Sequence, residues 1–101
     1  MSDESTAIRA AIRFVEDGDF SIGSWSNTIS NSGKASQLLS SCRSALEYAQ
    51  KSKLFKGLPK ASWALSLKSF AENCPEEEKQ AANDLESALN NWLKKNGIKV
   101  I

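Results

Sequence analysis

The sequence predicts an all-α protein, a compact bundle of four to five helices with short loops and no sheet. Three observations lead there. Apolar residues recur at three- and four-residue spacing in four separate segments, as the buried face of a helix requires. Those segments begin and end on residues that start and stop helices. No strand pair can be drawn from what remains.

A first helix is predicted from a cap at Asp3 or Ser5 to about Asp17, with Gly18 ending it. Ile8, Ala11, Ile12 and Val15 form its apolar face, with Phe14 at the margin, while Arg9, Arg13 and Glu16 point away. The next stretch, DFSIGSWSNTISNSG, is rich in Ser, Asn and Gly, which compete for backbone hydrogen bonds and favour turns. Phe20, Ile22, Trp25 and Ile29 interrupt it, so it reads as a packed connector with one short helical turn capped by Ser24. A second long helix is predicted over Lys34 to Ser52, burying Leu38, Leu39, Cys42, Ala45, Leu46 and Ala49. Its serines are mediocre helix formers, so tertiary packing must hold it.

Gly57 and Pro59 mark a turn. A third helix is predicted from about Pro59 to Asn73, with Trp63, Leu67, Phe70 and Cys74 on one face and Leu65 on its flank. The clearest helix is PEEEKQAANDLESALNNWLKKNG, residues 75–97. Asn73 or Cys74 caps it, Pro75 falls in the first turn, and Glu76, Glu77 and Glu78 set negative charge against its positive end. Ala81, Ala82, Leu85, Ala88, Leu89, Trp92 and Leu93 make its stripe, and Gly97 stands where a left-handed residue is wanted. The short turn before Pro75 makes the last two helices neighbours in a hairpin. The apolar tail after Gly97 reads as a strap over the bundle or as the start of a strand.

At 101 residues the chain is expected to be one domain, 1–101, with the N-terminal domain of a longer protein as the alternative. The N-terminal segment lacks the pattern of a signal peptide and no apolar run approaches a bilayer-spanning length, so no membrane contact and a cytoplasmic location are expected. Histidine is absent, which excludes Ser–His–Asp and Cys–His constellations and the common zinc ligand sets. No phosphate-cradling glycine motif occurs. The expectation is therefore no enzyme, no cofactor and no metal.

Two surfaces remain. Three tryptophans are many for a small core, and Trp25 lies outside any periodic stripe. An apolar rim of Phe20, Ile22, Trp25, Leu54 and Phe55 is thus the predicted contact for another protein or a second copy of the chain, in an adaptor, regulator or inhibitor. The alternative uses charge. Lys51, Lys53, Lys56 and Lys60 fall in a stretch without acids, although the net charge is only +1 and no arginine joins them. They are the residues expected to touch nucleic acid or an acidic partner.

Overall fold

The computed structural model describes residues 2–56 and 62–101. It contains α1 (Asp3–Asp17), α2 (Ile22–Ser30), a 3-10 turn at Gly33–Ala35, α3 (Ser36–Ser52), α4 (Ser62–Glu72) and α5 (Glu76–Lys95). Two short strands, β1 (Leu54–Phe55) and β2 (Lys99–Val100), pair in parallel. The chain is the helical bundle that its periodicity predicts, with α2 as the fifth helix. The two-residue ladder corrects the expectation of no sheet. The predicted start of the third helix at Pro59 lies outside the described residues.

The ends of α1 and the starts of α2 and α5 have local causes. Ser2, rather than Asp3 or Ser5, caps α1: its Oγ accepts the Ser5 N–H at 3.1 Å, leaving Asp3 and Glu4 in the first turn. Gly18 at φ 71° closes the helix, with the Asp19 N–H reaching back to the Phe14 carbonyl at 2.9 Å. Ser21 caps α2, one turn earlier than Ser24, which instead supplies the N–H that Ser21 accepts. The N-cap of α5 is Pro75, not Asn73 or Cys74. Its C-terminal closure repeats that of α1: Gly97 turns left-handed at φ 63°, and the Ile98 N–H bonds the Leu93 carbonyl at 3.0 Å.

α1 and α5 share the longest contact in the molecule. They run side by side in the same direction: Ser5 meets Glu77, Arg9 meets Asp84, and Gly18 lies beside Trp92. Ile8, Ala11 and Val15 on one helix and Ala81, Leu85 and Leu89 on the other are fully or almost fully buried there. Parallel neighbours bring two positive dipole ends together, which is unfavourable unless negative charge is set between them. Asp3, Glu4, Glu76, Glu77 and Glu78 occupy that end. Ser5 Oγ donates to Glu77 at 2.9 Å and Ser2 Oγ donates to Glu78 at 3.2 Å, sewing the two first turns together.

The hairpin expected between the last two helices is secondary to other contacts. α4 touches α5, but packs mainly on α3. Trp63 and Ala64 at its start are buried, whereas Leu67 and Phe70 further on are half-buried. The 3-10 turn is fixed by Gly33 at φ 53°, where a Cβ would stand 2.5 Å from Glu4 Oε2. That carboxylate accepts the Lys34 N–H at 3.2 Å and ties the start of α1 to the start of α3.

Beyond α3 the chain turns through Lys53, a non-glycine residue in the left-handed region at φ 61°. Its amide caps the helix on Ala49 and its carbonyl accepts the Lys99 N–H at 3.1 Å. Phe55 accepts the Ile101 N–H at 2.9 Å, so the tail after Gly97 is a strap stitched onto β1. The crossover between the two parallel strands includes α4 and α5.

Candidate functional site

The aromatic rim expected from the sequence is not at the surface. Trp25 is completely buried, its indole N–H donating to the Asp19 carbonyl at 2.6 Å and its ring 5.5 Å from Phe14. Phe20 is buried edge-to-face against Trp92, with ring centres 4.8 Å apart. Phe55 is buried 5.4 Å from the ring of Trp63, whose N–H donates to the Lys56 carbonyl at 3.1 Å. Each tryptophan thus has a phenylalanine partner, and the apparent surplus of aromatics is absorbed inside. Such pairs stabilise beyond their buried area alone, and a buried indole needs an acceptor, which connector carbonyls provide here for Trp25 and Trp63. Of the five residues expected on the rim, Ile22 is exposed at the start of α2 and Leu54 is half-buried.

The connector that holds Trp25 is a hydrogen-bonded knot. Asp19 accepts the Ser21 N–H at 3.1 Å, the Ser21 hydroxyl at 2.8 Å and the Ser24 hydroxyl at 2.6 Å. The Ser24 bond, foremost among these, holds the Asp19 carboxyl below its ordinary range. This segment is polar in sequence because its side chains supply the backbone's partners.

Two clefts remain. The larger, about 590 Å³, lies where α1, α3, α4 and α5 meet, and is lined among others by Glu4, Lys34, Phe70, Cys74 and Glu78. Its carboxylates are already engaged. Glu4 holds the Lys34 amide, which is the main reason its carboxyl is lowered, and Glu78 accepts from Ser2 at the joint positive ends of two helices. The Cys74 thiol is pushed up, mainly by burial, which lowers the thiolate character that nucleophilic chemistry needs. Cys42, fully buried in α3, is pushed up to about 12. Both thiols are free. Among the described residues no group of His, Cys, Asp and Glu gathers as a metal site.

The second groove, about 470 Å³, runs between the outer face of α3 and the strand ladder. Ser41, Ser44, Ala45 and Tyr48 form one wall, and Leu54, Lys56 and Ile101 form the other. Tyr48 is 63% exposed and Ile101 62%. Alternation along β1 turns Phe55 into the core and Leu54 and Lys56 outward. The register pairs Leu54 with Lys99, which puts Lys99 and Ile101 on that same outward face. Sequence reasoning found Leu54 and Lys56 but missed Tyr48, Lys99 and Ile101. Tyr48 falls on the polar side of an otherwise regular stripe, and that position was the signal.

The lysine stretch has partly the setting expected. Lys51, Lys53 and Lys56 are all exposed around the turn from α3 into β1. Lys51 Nζ stands 3.6 Å from Glu47, whose other oxygen is taken by Arg43. Lys56 enters the groove itself. Lys60 lies outside the described residues. Among the described residues, no helix is long and apolar enough to cross a membrane.

No family model matches the chain, and neither the curated proteins nor the solved structures contain a match to it. The functional reading therefore rests on this geometry.

Proposed function

We propose that this chain is a non-catalytic protein–protein interaction domain, acting as an adaptor, regulator or inhibitor. Its binding surface is the groove between α3 and the β1–β2 ladder. The observation that carries this reading is the meeting of three large apolar side chains, Tyr48, Leu54 and Ile101, at one groove while every tryptophan is buried. Exposed apolar side chains are common singly, but several around one concavity mark a contact surface. The surface first expected near Trp25 is thereby moved to a different part of the molecule, and the lysine-bearing turn becomes its rim. Lys51, Lys53, Lys56 and Lys99 favour an acidic partner and speed its approach. Nucleic acid is the second reading, carried by the same lysines. The lack of arginine among them weighs against it.

The test is a peptide-display selection against the whole chain, followed by affinity measurement on variants. Peptides that occupy the groove are expected to lose about tenfold or more on Tyr48→Ser, the scale of an interface anchor. They should bind Leu65→Ser, altered in the other cleft, as tightly as the parent. Selected peptides indifferent to Tyr48→Ser would overturn the assignment. Tight, steeply salt-dependent binding of single-stranded oligonucleotides with no peptide selected would favour the second reading.

A further inference from the structure

The groove ends on a backbone edge, and that edge identifies the shape of the partner. In the ladder, Lys99 donates its N–H to Lys53 and Ile101 donates its N–H to Phe55. Successive residues of a strand turn their amides to opposite sides, so Val100, between those two, directs its N–H and carbonyl away from β1. Both residues of β2 are exposed, and the Val100 side chain is 55% exposed. The corresponding edge of β1 is closed in a different way. The Ser52 hydroxyl accepts the Leu54 N–H at 3.3 Å while its own proton goes to the Tyr48 carbonyl at 2.8 Å, and it stands over the Leu54 carbonyl at 3.4 Å. Among the described residues the ladder thus has one edge blunted by a side chain and one left open.

An open edge beside exposed apolar side chains is a template for another strand. Charge decides between a second copy and a different chain. Pairing β2 with itself would bring together two Lys99 side chains and the surrounding Lys51, Lys53 and Lys56 of both copies. Like charges facing across a strand pair are destabilising. An extended segment with acidic residues meets the same edge favourably.

We propose that the partner is an acidic extended peptide segment that adds to β2 as a third strand, bonding the Val100 main chain and setting carboxylates against Lys99 and Lys56. This deepens the groove reading and rests on it. Alternate side chains of the added strand fall on opposite faces, so its apolar residues lie beside Val100 and its carboxylates face Lys99 and Lys56. Affinity comes from main-chain bonds and apolar contact, selectivity from charge.

The probe is an acetylated and amidated hexapeptide of alternating Glu and Val, titrated into the isotope-labelled full chain and followed by NMR. Binding is expected to shift the Val100 amide and slow its hydrogen exchange, and to weaken as salt is raised. Val100→Pro removes the outward N–H and leaves the two bonds to β1 in place, so it should cost about tenfold in affinity, the worth of a main-chain bond with its alignment. If that variant disturbs β2, the same peptide carrying N-methyl groups on alternate residues tests the parent chain, and it too should bind about tenfold more weakly. A peptide that needs Tyr48 but ignores both the proline variant and N-methylation would sink strand addition and leave the groove reading standing. Indifference to Tyr48 as well would remove both. Protection of Val100 in peptide-free solution, with light scattering of a dimer, would hand the edge to a second copy and overturn the acidic-segment assignment. A lysine-for-glutamate version of the peptide binding equally well would do the same.

Discussion

The seam between α1 and α5 and the margin formed by α3, β1 and β2 are built on opposite principles. The seam is long, apolar and periodic: Ile8, Ala11, Val15, Leu85 and Leu89 sit in register, and polar side chains clasp its start. In the margin, β1 and β2 are held by a ladder of two residues per strand and by one inward ring, Phe55 against Trp63. Beside the buried stripe of α3, the margin's other large apolar residues lie at the surface: Tyr48, Val100 and Ile101 are exposed and Leu54 is half-buried. A helix pair satisfies its backbone internally and spends its side chains on burial. A short parallel ladder leaves both backbone and side chains for something else. The stable part of the molecule is thus chemically complete, while the part proposed to bind is the part left incomplete.

The comparison is broken first by cutting into the seam. Leu89 is fully buried in α5, so Leu89→Ala should destabilise the chain by about 2–5 kcal/mol, the usual cost of lost transfer energy plus a cavity. Urea unfolding followed by circular dichroism measures it. A near-neutral result would mean that α1 and α5 are not the stabilising pair. Hydrogen exchange sharpens the contrast without a mutation. The Lys99 and Ile101 amides, bonded only through the ladder, should exchange at least about a hundredfold faster than amides at the centre of α5, because short edge elements open without global unfolding. Equal protection would make the ladder part of one cooperative unit with the seam.

What could be seen in the sequence follows the same division. The four long helices were legible because 3.6-residue periodicity and terminal residues are local signals: Gly18, Gly97 and the acidic turn of 76–78 all do in the structure what their positions predict. α2 was legible only as a turn, since Asp19, Ser21 and Ser24 look like loop residues until their mutual hydrogen bonds are seen. Trp25 was misplaced for a related reason. Its partners, Phe14 and the Asp19 carbonyl, belong to different elements, and no periodic stripe brings them together. The β1–β2 pair was beyond reach because two strands of two residues carry no alternation to count, and pairing between the middle and the end of a chain is non-local. Leu54 and the apolar tail were each noticed, but their meeting is a property of the crossover. The rim expected from the sequence therefore has three of its five residues, Phe20, Trp25 and Phe55, inside the core.

Acid should weaken the seam. Arg9 bonds Asp84 at 2.5 Å across α1 and α5, and this bond, with a smaller one from Gln80, holds the Asp84 carboxyl below its ordinary range. Glu4 is lowered as well, chiefly by the Lys34 amide. A carboxyl whose folded pKa lies below its unfolded value stabilises the fold above the unfolded value, near pH 4, and loses that contribution as pH falls through the folded one. Stability is thus expected to be level near neutrality and to decline from about pH 5 downward. Among the described residues no Asp or Glu lines the groove, although Glu47, next to Tyr48 on α3, is lowered too, chiefly by its bond from Arg43. Because Arg9 and Asp84 are each about 40% exposed, the effect is small and partly screened by salt. Urea midpoints measured from pH 7 to pH 3 on the parent and on Asp84→Asn provide the check. The variant should be slightly less stable at pH 7 and should converge on the parent at the acid end. Parallel curves would show that the ion pair adds nothing to the seam, and that apolar burial between α1 and α5 holds it without electrostatic help.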